Sequence, residues 1–270
     1  MDPGQLPVST TRIECAGVSM LRLSMSAVRV AALYDIHGNL PALEAVLQDV
    51  GRAGVDRIVV GGDVVPGPMP RETLACLRGL DVPLAFIQGN GDREVIAPTG
   101  AVPASFLEAM RWNAAQLRPE DQNTLASWPL TLREGIDGIG DVLFCHATPR
   151  NDVEIFTRQT PVEPLMPIFG SLGVALAVCG HTHMQFDRTI GSVRVVNAGS
   201  VGMPFGESGA YWLLLGSDVE LRRTSYDLED AARRIRATTY PQAEEFASRS
   251  VLNPPSKTEM LAMFAHAELK

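Results

Sequence analysis

Short apolar runs that each end in a polar motif constrain this chain more than any other feature. The runs are Arg29–Tyr34, Arg57–Val60, Leu84–Ile87, Val142–Phe144, Leu176–Val178 and Val193–Val196. Asp35-Ile36-His37-Gly38-Asn39, Gly61-Gly62-Asp63, Gly89-Asn90-Gly91-Asp92, Cys145-His146-Ala147 and Gly180-His181-Thr182-His183 follow the first five in order. Runs of this length and composition read as strands. Leu40, Leu43, Val46, Leu47 and Val50 recur at helical spacing over Leu40–Ala53, with Pro41 in the first turn, where a missing N–H costs nothing. A second helix is expected over Pro70–Leu80. Apolar strands alternating with helices give an α/β sheet covered by helices.

The rhythm breaks between about residues 98 and 132. Ala104–Gln116 and Pro119–Ser127 read there as two short helices, the second with Glu120 and Asp121 in its first turn, and form an insertion expected to cover the site. Ala210–Leu215 and Val219–Thr224 have no helix between them and read as an antiparallel layer. From Tyr226 the pattern is helical. Leu228, Ala231, Ala232 and Ile235 form one stripe, which can dock on the same domain or mediate homo-oligomer contact. The expected organisation is an irregular leader over residues 1–27, a main domain over 28–225 and a helical extension over 226–270. Met20 and Met25 are equally suited as the natural start.

No apolar run approaches the roughly 18 residues of a membrane span. The four cysteines show no paired spacing and no secretory signal pattern precedes the first strand, which points to a reducing cytoplasm. The net charge is −8, and no Lys/Arg block supplies a footprint for duplex nucleic acid.

Four of the five histidines lie inside the strand-end motifs. Neutral imidazole with carboxylate is a ligand set for borderline divalent ions. In extended backbone, residues i and i+2 face the same way. Asp35 with His37, and His181 with His183, are each expected on one side of the chain, with Ile36 turned into the core. Gly61 and Gly62 let Asp63 approach the first motif closely, Asn90 offers a hard amide oxygen, and His146 ends another apolar strand. Each motif alone is a common turn, and the weight lies in the series. Asn39 is placed to cap the following helix, and Asn197-Ala198-Gly199-Ser200 to wall the site. Arg93 is a candidate phosphate clamp, and Asp92 is suited to orient a water or a ligand histidine.

The ordered series resembles the calcineurin-like metallophosphoesterases over about residues 29–201, and Cys145-His146-Ala147-Thr148-Pro149 with Asn197-Ala198-Gly199-Ser200 looks like the bacterial phosphodiesterase branch. The resemblance implies a two-sheet β-sandwich of α/β class, flanked by helices, with the site at the strand ends. It implies two divalent ions, Mn²⁺ ahead of Fe, Zn²⁺, Ni²⁺ or Mg²⁺. One would sit on Asp35, His37, Asp63 and His183, the other on Asp63, Asn90, His146 and His181, with Asp63 bridging. The implied reaction is hydrolysis of a small or nucleotide-like phosphodiester by in-line attack of a hydroxide held between the ions. Asp63, Asn90, Asp92 and His146 would form the catalytic set, with Asn90, Arg93 and His146 beside the substrate. One position departs. Many relatives carry histidine after Gly-Asn, where this chain has Gly91. General-acid help is typically worth about 10²–10⁴ in rate, so good leaving groups, or a proton from water or Asp92, are expected to compensate. A phosphomonoesterase is the alternative, and a non-catalytic scaffold of the same fold a further one. Trp112 and Trp128 are expected to pack the insertion against the sheet.

Overall fold

All four residues of β3 (Val30–Leu33) are buried, as are three of the four in β4 (Arg57–Val60), so their sheet is covered on both faces. Alternation along the strands then decides which side each residue joins. Ala31, Leu33, Ile58 and Val60 turn towards α1 (Leu40–Ala53) and α2 (Pro70–Arg78), where Leu43, Val46, Leu74 and Leu77 cover them. Val30, Ala32 and Val59 turn the other way and meet Val142, Phe144 and Val178 of a second sheet. The computed structural model describes residues 28–99 and 104–269, together with the two-residue antiparallel strands β1 (Glu14–Cys15) and β2 (Val18–Ser19). The rest of the leader expected over residues 1–27 lies outside the described residues.

The first sheet adds β5 (Leu84–Phe86), β11 (Ala210–Leu215) and β12 (Val219–Thr224) in the order β12-β11-β3-β4-β5. The pairs β3–β4 and β4–β5 are parallel, and β11 joins antiparallel with Leu213 opposite Ala32. The last two strands pair antiparallel, as their sequence suggests, and β12 forms an edge of this sheet. The second sheet comprises β6 (Thr131–Ile136), β7 (Gly140–Cys145), β8 (Leu176–Cys179), β9 (Phe186–Ile190) and β10 (Val193–Asn197), ordered β6-β7-β8-β10-β9. Its outer face, with Leu143, Ala177 and Val195, packs on Phe156, Leu165 and Phe169 beside the short α6 (Met166–Phe169). Two mixed five-stranded sheets thus stack face to face with helices outside.

Two helices bridge towards the site. A stretch expected to be only a turn starts α3 (Asn90–Ile96), capped by the Asp92 carboxylate, which accepts from Gly89 N at 3.3 Å. The insertion forms α4 (Ala104–Gln116) and α5 (Pro119–Ser127). Trp128 stacks on Phe86 with ring centroids 4.6 Å apart, and Trp112 meets Tyr240 edge-on at 5.3 Å. Trp128 thus packs the insertion against the sheet, as expected, whereas Trp112 packs it against the C-terminal helices. In α7 (Leu228–Arg236), Ala231, Ala232 and Ile235 are buried with Met69 and Val251, and Arg234 grips Glu44 of α1 at 2.7 and 3.1 Å. The stripe is therefore covered by its own chain. Beyond it α8 (Ala243–Phe246) runs into a π-helical turn, Ala247–Leu252, and then α9 (Lys257–Phe264). No described helix is long and apolar enough to cross a membrane.

Candidate metal centre

The loops leaving β3, β4, β5, β7 and β8 converge, and their backbone is unusual. Asp35, His37, Asp63, His181 and His183 have φ of +53, +50, +51, +64 and +56°. This left-handed region disfavours any residue with a Cβ, by roughly 1–2 kcal/mol each. The strand-like alternation expected for Asp35/His37 and His181/His183 is therefore not what aims these side chains. They converge because each loop turns left-handed as its strand ends, while Ile36 between two of them is fully buried in the core. Hydrogen bonds between loops hold these turns: Asp35 N donates to Gly62 O at 3.1 Å, His37 N to Asp63 O at 2.8 Å, and Ser200 Oγ to Asp35 O at 2.7 Å. Gly62, with φ +91°, has no alternative, because a Cβ there would lie 2.6 Å from Gly89 N and 2.8 Å from His146 Nδ1.

Three imidazoles share one orientation device. Nδ1 of His37, His146 and His183 faces the carbonyls of Pro66 at 3.1 Å, Gly61 at 2.9 Å and Met203 at 2.7 Å. A carbonyl only accepts, so Nδ1 carries the proton and each Nε2 presents a lone pair. These lone pairs point at carboxylates. Asp35 Oδ1 lies 3.3 Å from His183 Nε2, 3.8 Å from His37 Nε2 and 3.9 Å from His146 Nε2. Asp63 splits its oxygens, Oδ2 lying 3.7 Å from His37 and Oδ1 3.6 Å from His146. Two ligand-like groups result, Asp35–His37–His183 and Asp35–Asp63–His146. Asp35, as well as Asp63, lies between them.

The donor set fits divalent cations. Asp35 Oδ1 is buried without a hydrogen-bond partner, and such an orphan normally costs about 1–3 kcal/mol or more when charged. His37 Nε2 and His183 Nε2 stand 3.2 Å apart, an approach of two lone pairs that a cation between them would relieve. Asn90 repeats the pattern. Its Oδ1 is 3.1 Å from His146 Nε2, and with the amide turned over its nitrogen would donate to His181 Nδ1 at 3.0 Å and His146 Nε2 at 3.1 Å. The oxygen-inward orientation makes a ligand, and the nitrogen-inward one satisfies the metal-free protein. Burial, with His183 nearby, pushes the His37 pKa down, and burial with His146 takes His181 down to about 4. Both are therefore neutral and ready to coordinate at pH 7. Burial raises the Asp35 carboxyl, but the surrounding His183, His146 and His37 outweigh it and hold the group well below its ordinary value.

The remaining sequence candidates lie elsewhere in the architecture. Asp92 is fully buried and accepts from Val64 N at 2.8 Å, Val65 N at 3.1 Å and Gly89 N, so it ties the Asp63 loop to the start of α3. Burial and the nearby Asp63 charge push its pKa up to about 7. Its contacts make it a positioning group. Arg93 is bound by Asp152 at 2.8 and 3.1 Å and by Glu94 at 2.9 Å, which leaves its guanidinium committed away from a phosphate. Gly91 leaves no empty slot: a Cβ there would fall 2.7 Å from Pro66 Cγ and 3.0 Å from both Asp63 oxygens. Asn197 donates to Gly180 O at 2.6 Å and to Thr182 Oγ1 at 3.1 Å, and thereby holds the histidine loop. Sequence reasoning missed Phe205, whose ring stacks on His183 at 5.1 Å. It also missed the three carbonyls, since backbone acceptors leave no residue signature.

A model of the calcineurin-like phosphoesterase superfamily domain matches residues 28–218. The chain belongs to this superfamily. It is 29% identical over 241 residues to an uncharacterized protein of Methanocaldococcus jannaschii, covering 79% of this chain and 94% of that one. It is 25% identical over 194 residues to phosphodiesterase YfcE of Escherichia coli, covering 68% and 85%. A metallophosphoesterase from Sphaerobacter thermophilus superposes with a TM-score of 0.67 at 28% identity, covering 83% and 98%. A hypothetical protein from Pyrococcus horikoshii superposes with a TM-score of 0.73 at 21% identity, covering 85% and 100%. The superfamily member described here is thus a phosphoester hydrolase by class, and its candidate ligands suit the divalent metals that such enzymes use.

Proposed function

We propose that this chain is a two-metal phosphodiesterase acting on small diesters. The observation that carries the metal reading is Asp35 Oδ1, buried without a hydrogen-bond partner and faced by three Nε2 lone pairs. Asp35, His37, Asp63 and His183 would hold one ion, and Asp63, Asn90, His146 and His181 the other, Mn²⁺ being the first choice for mixed nitrogen and oxygen donors. Bound there, a divalent pair supplies Lewis acidity, polarising phosphoryl oxygens and lowering the pKa of water. The chain's own contribution is to fix the ligand directions, keep His37 and His181 neutral, and set Asn90 and His146 beside the phosphate. In the overall reaction the oxygen of water bonds to phosphorus, the bond to the leaving oxygen breaks, and an alcohol and a phosphomonoester result.

Preference for diesters over monoesters rests on the cavity. About 470 Å³ opens onto His37, Asp63, Asn90 and Gly91, and Arg249 is the one arginine or lysine among the described residues that line it. One cation suits a monoanionic diester better than a dianionic monoester, and Arg93 is already engaged. Similarity to the phosphodiesterase YfcE points the same way. A scaffold role is disfavoured, since every candidate ligand position carries a ligating side chain. Free Cys76, Cys145 and Cys179 suit a reducing cytoplasm.

The test is hydrolysis of bis(p-nitrophenyl) phosphate and p-nitrophenyl phosphate by metal-stripped protein reloaded with Mn²⁺. Faster diester cleavage is expected, and Asp63→Asn or His181→Ala should abolish it. Full activity in either variant sinks the ligand assignment. Faster monoester cleavage makes the protein a phosphatase, and no turnover with two ions bound makes it a scaffold.

A further inference from the structure

We infer that α4 and the C-terminal helices form a binding wall for a large aromatic arm of the substrate, so that the site selects diesters carrying a broad ring substituent. This inference deepens the diesterase reading and rests on it. The cavity meets the site at His37, Asp63 and Asn90, and Gln242, Glu245, Arg249 and Ser250 add polar groups from the tail; Phe106, Met110, Phe246, Met260 and Met263 supply an apolar part of its lining. Three of these wall residues come from beyond residue 218, where the superfamily match ends, and after the last strand of either sheet.

Two of them remain at the rim. Phe106 is 46% exposed and Met263 54% exposed, although both border a cavity that continues into buried apolar residues. Apolar side chains left exposed around a concave surface mark a site that a ligand covers. Methionine thioethers adapt to flat rings and make favourable sulfur–aromatic contacts, and three of the five wall residues are methionines. Ser250 and Arg249 reach the same cavity from the π-helical turn, a backbone irregularity often found at functional sites.

The experiment compares phenyl p-nitrophenyl phosphate with methyl p-nitrophenyl phosphate on the Mn²⁺-loaded protein. The leaving group is the same in both, so only the retained arm differs. The wild-type kcat/KM should favour the phenyl ester by about tenfold or more, and Phe106→Ala combined with Met263→Ser should bring the ratio towards one. Equal wild-type rates, or a preference that survives both substitutions, overturn the inference. If neither ester is hydrolysed, the diesterase reading fails and calorimetric binding decides the wall separately. Diphenyl phosphate should then bind about tenfold more tightly than dimethyl phosphate to wild type but not to the double variant, and equal affinities refute the wall.

Discussion

Replacing Gly91 with alanine adds one methyl group where the site is tightest. The new Cβ would lie 2.7 Å from Pro66 Cγ and 3.0 Å from each Asp63 oxygen, against about 3.5–4.0 Å for favourable contact. Neither neighbour can step aside easily. Pro66 is a ring fused to its backbone, and Asp63 Oδ1 already accepts the Gly91 N–H at 2.7 Å. Overpacking of this kind costs about 1–3 kcal/mol, which for a chain of this size is about 2–6 °C in Tm. Displacing the Asp63 carboxylate should also weaken metal binding by about 10–100-fold, as loss of ligand positioning does elsewhere. Thermal denaturation without metal reads the packing cost, and calorimetric titration with Mn²⁺ reads the site. Adding Pro66→Ala separates the two, because it relieves the ring contact and leaves the carboxylate contact. Gly91→His should cost more than alanine and bring no gain on poor leaving groups, since the position has no room for an imidazole. A Gly91→Ala protein with wild-type Tm and Mn²⁺ affinity, or a Gly91→His protein faster on alkyl esters, would refute this reasoning.

Other perturbations read separate parts of the molecule. Arg93→Ala should lower Tm and leave KM for the diester unchanged, because the guanidinium is engaged by Asp152 and Glu94; a raised KM at intact Tm would restore the phosphate-clamp role. Asp121 accepts from Arg118 and pairs with Arg78, and these partners hold its carboxyl well below the ordinary value. A depressed folded pKa contributes stability above the unfolded value of about 3.9 that is lost as pH falls. The Tm deficit of Asp121→Asn should thus be full at pH 7 and shrink below about pH 4; a deficit constant down to acid pH would mean that the hydrogen bonds, not the charge, matter. Trp112→Ala should lower Tm without altering the preference for aryl esters, and a changed substrate range at intact Tm would make Trp112 a gate.

What the sequence made legible follows from where side chains go. β3, β4 and β11 are buried on both faces, so their apolar runs stand out, and Asn39, Pro41 and Pro119 mark helix starts by mechanisms that act locally. β6 and β9 escaped because they are half-exposed edge strands whose Arg133, Glu134, Asp187 and Arg188 hide the alternation. α3 escaped because Gly-Asn-Gly is a poor helical opening, and its start is fixed by the Asp92 cap. The residue types of the metal centre were readable from the motifs. Their aim was not, since the left-handed turns arise from contacts between loops. Arg93 shows the same limit: its partner Asp152 is 59 residues away. So does the cavity wall, to which the tail contributes from beyond the last strand of either sheet.

Those left-handed turns are held by the chain around them. Five non-glycine residues in this region represent roughly 1–2 kcal/mol each of backbone cost, and such strain persists only where the surroundings over-determine it. Here they do. Gly202 N donates to Asp35 O at 3.0 Å and Met203 N to Ser200 Oγ at 2.7 Å, so that the Asn197–Met203 segment closes around the first motif, while Gly180 N donates to His146 O at 2.8 Å and ties the last two motifs together. Asp92 does the same for the second and third motifs from beneath. The histidine tautomers are set by carbonyls that belong to this framework and not to a metal. The buried Asp35 oxygen and the facing Nε2 atoms are the groups that a bound cation would satisfy. The fold carries the strain, and the ligand geometry is the result.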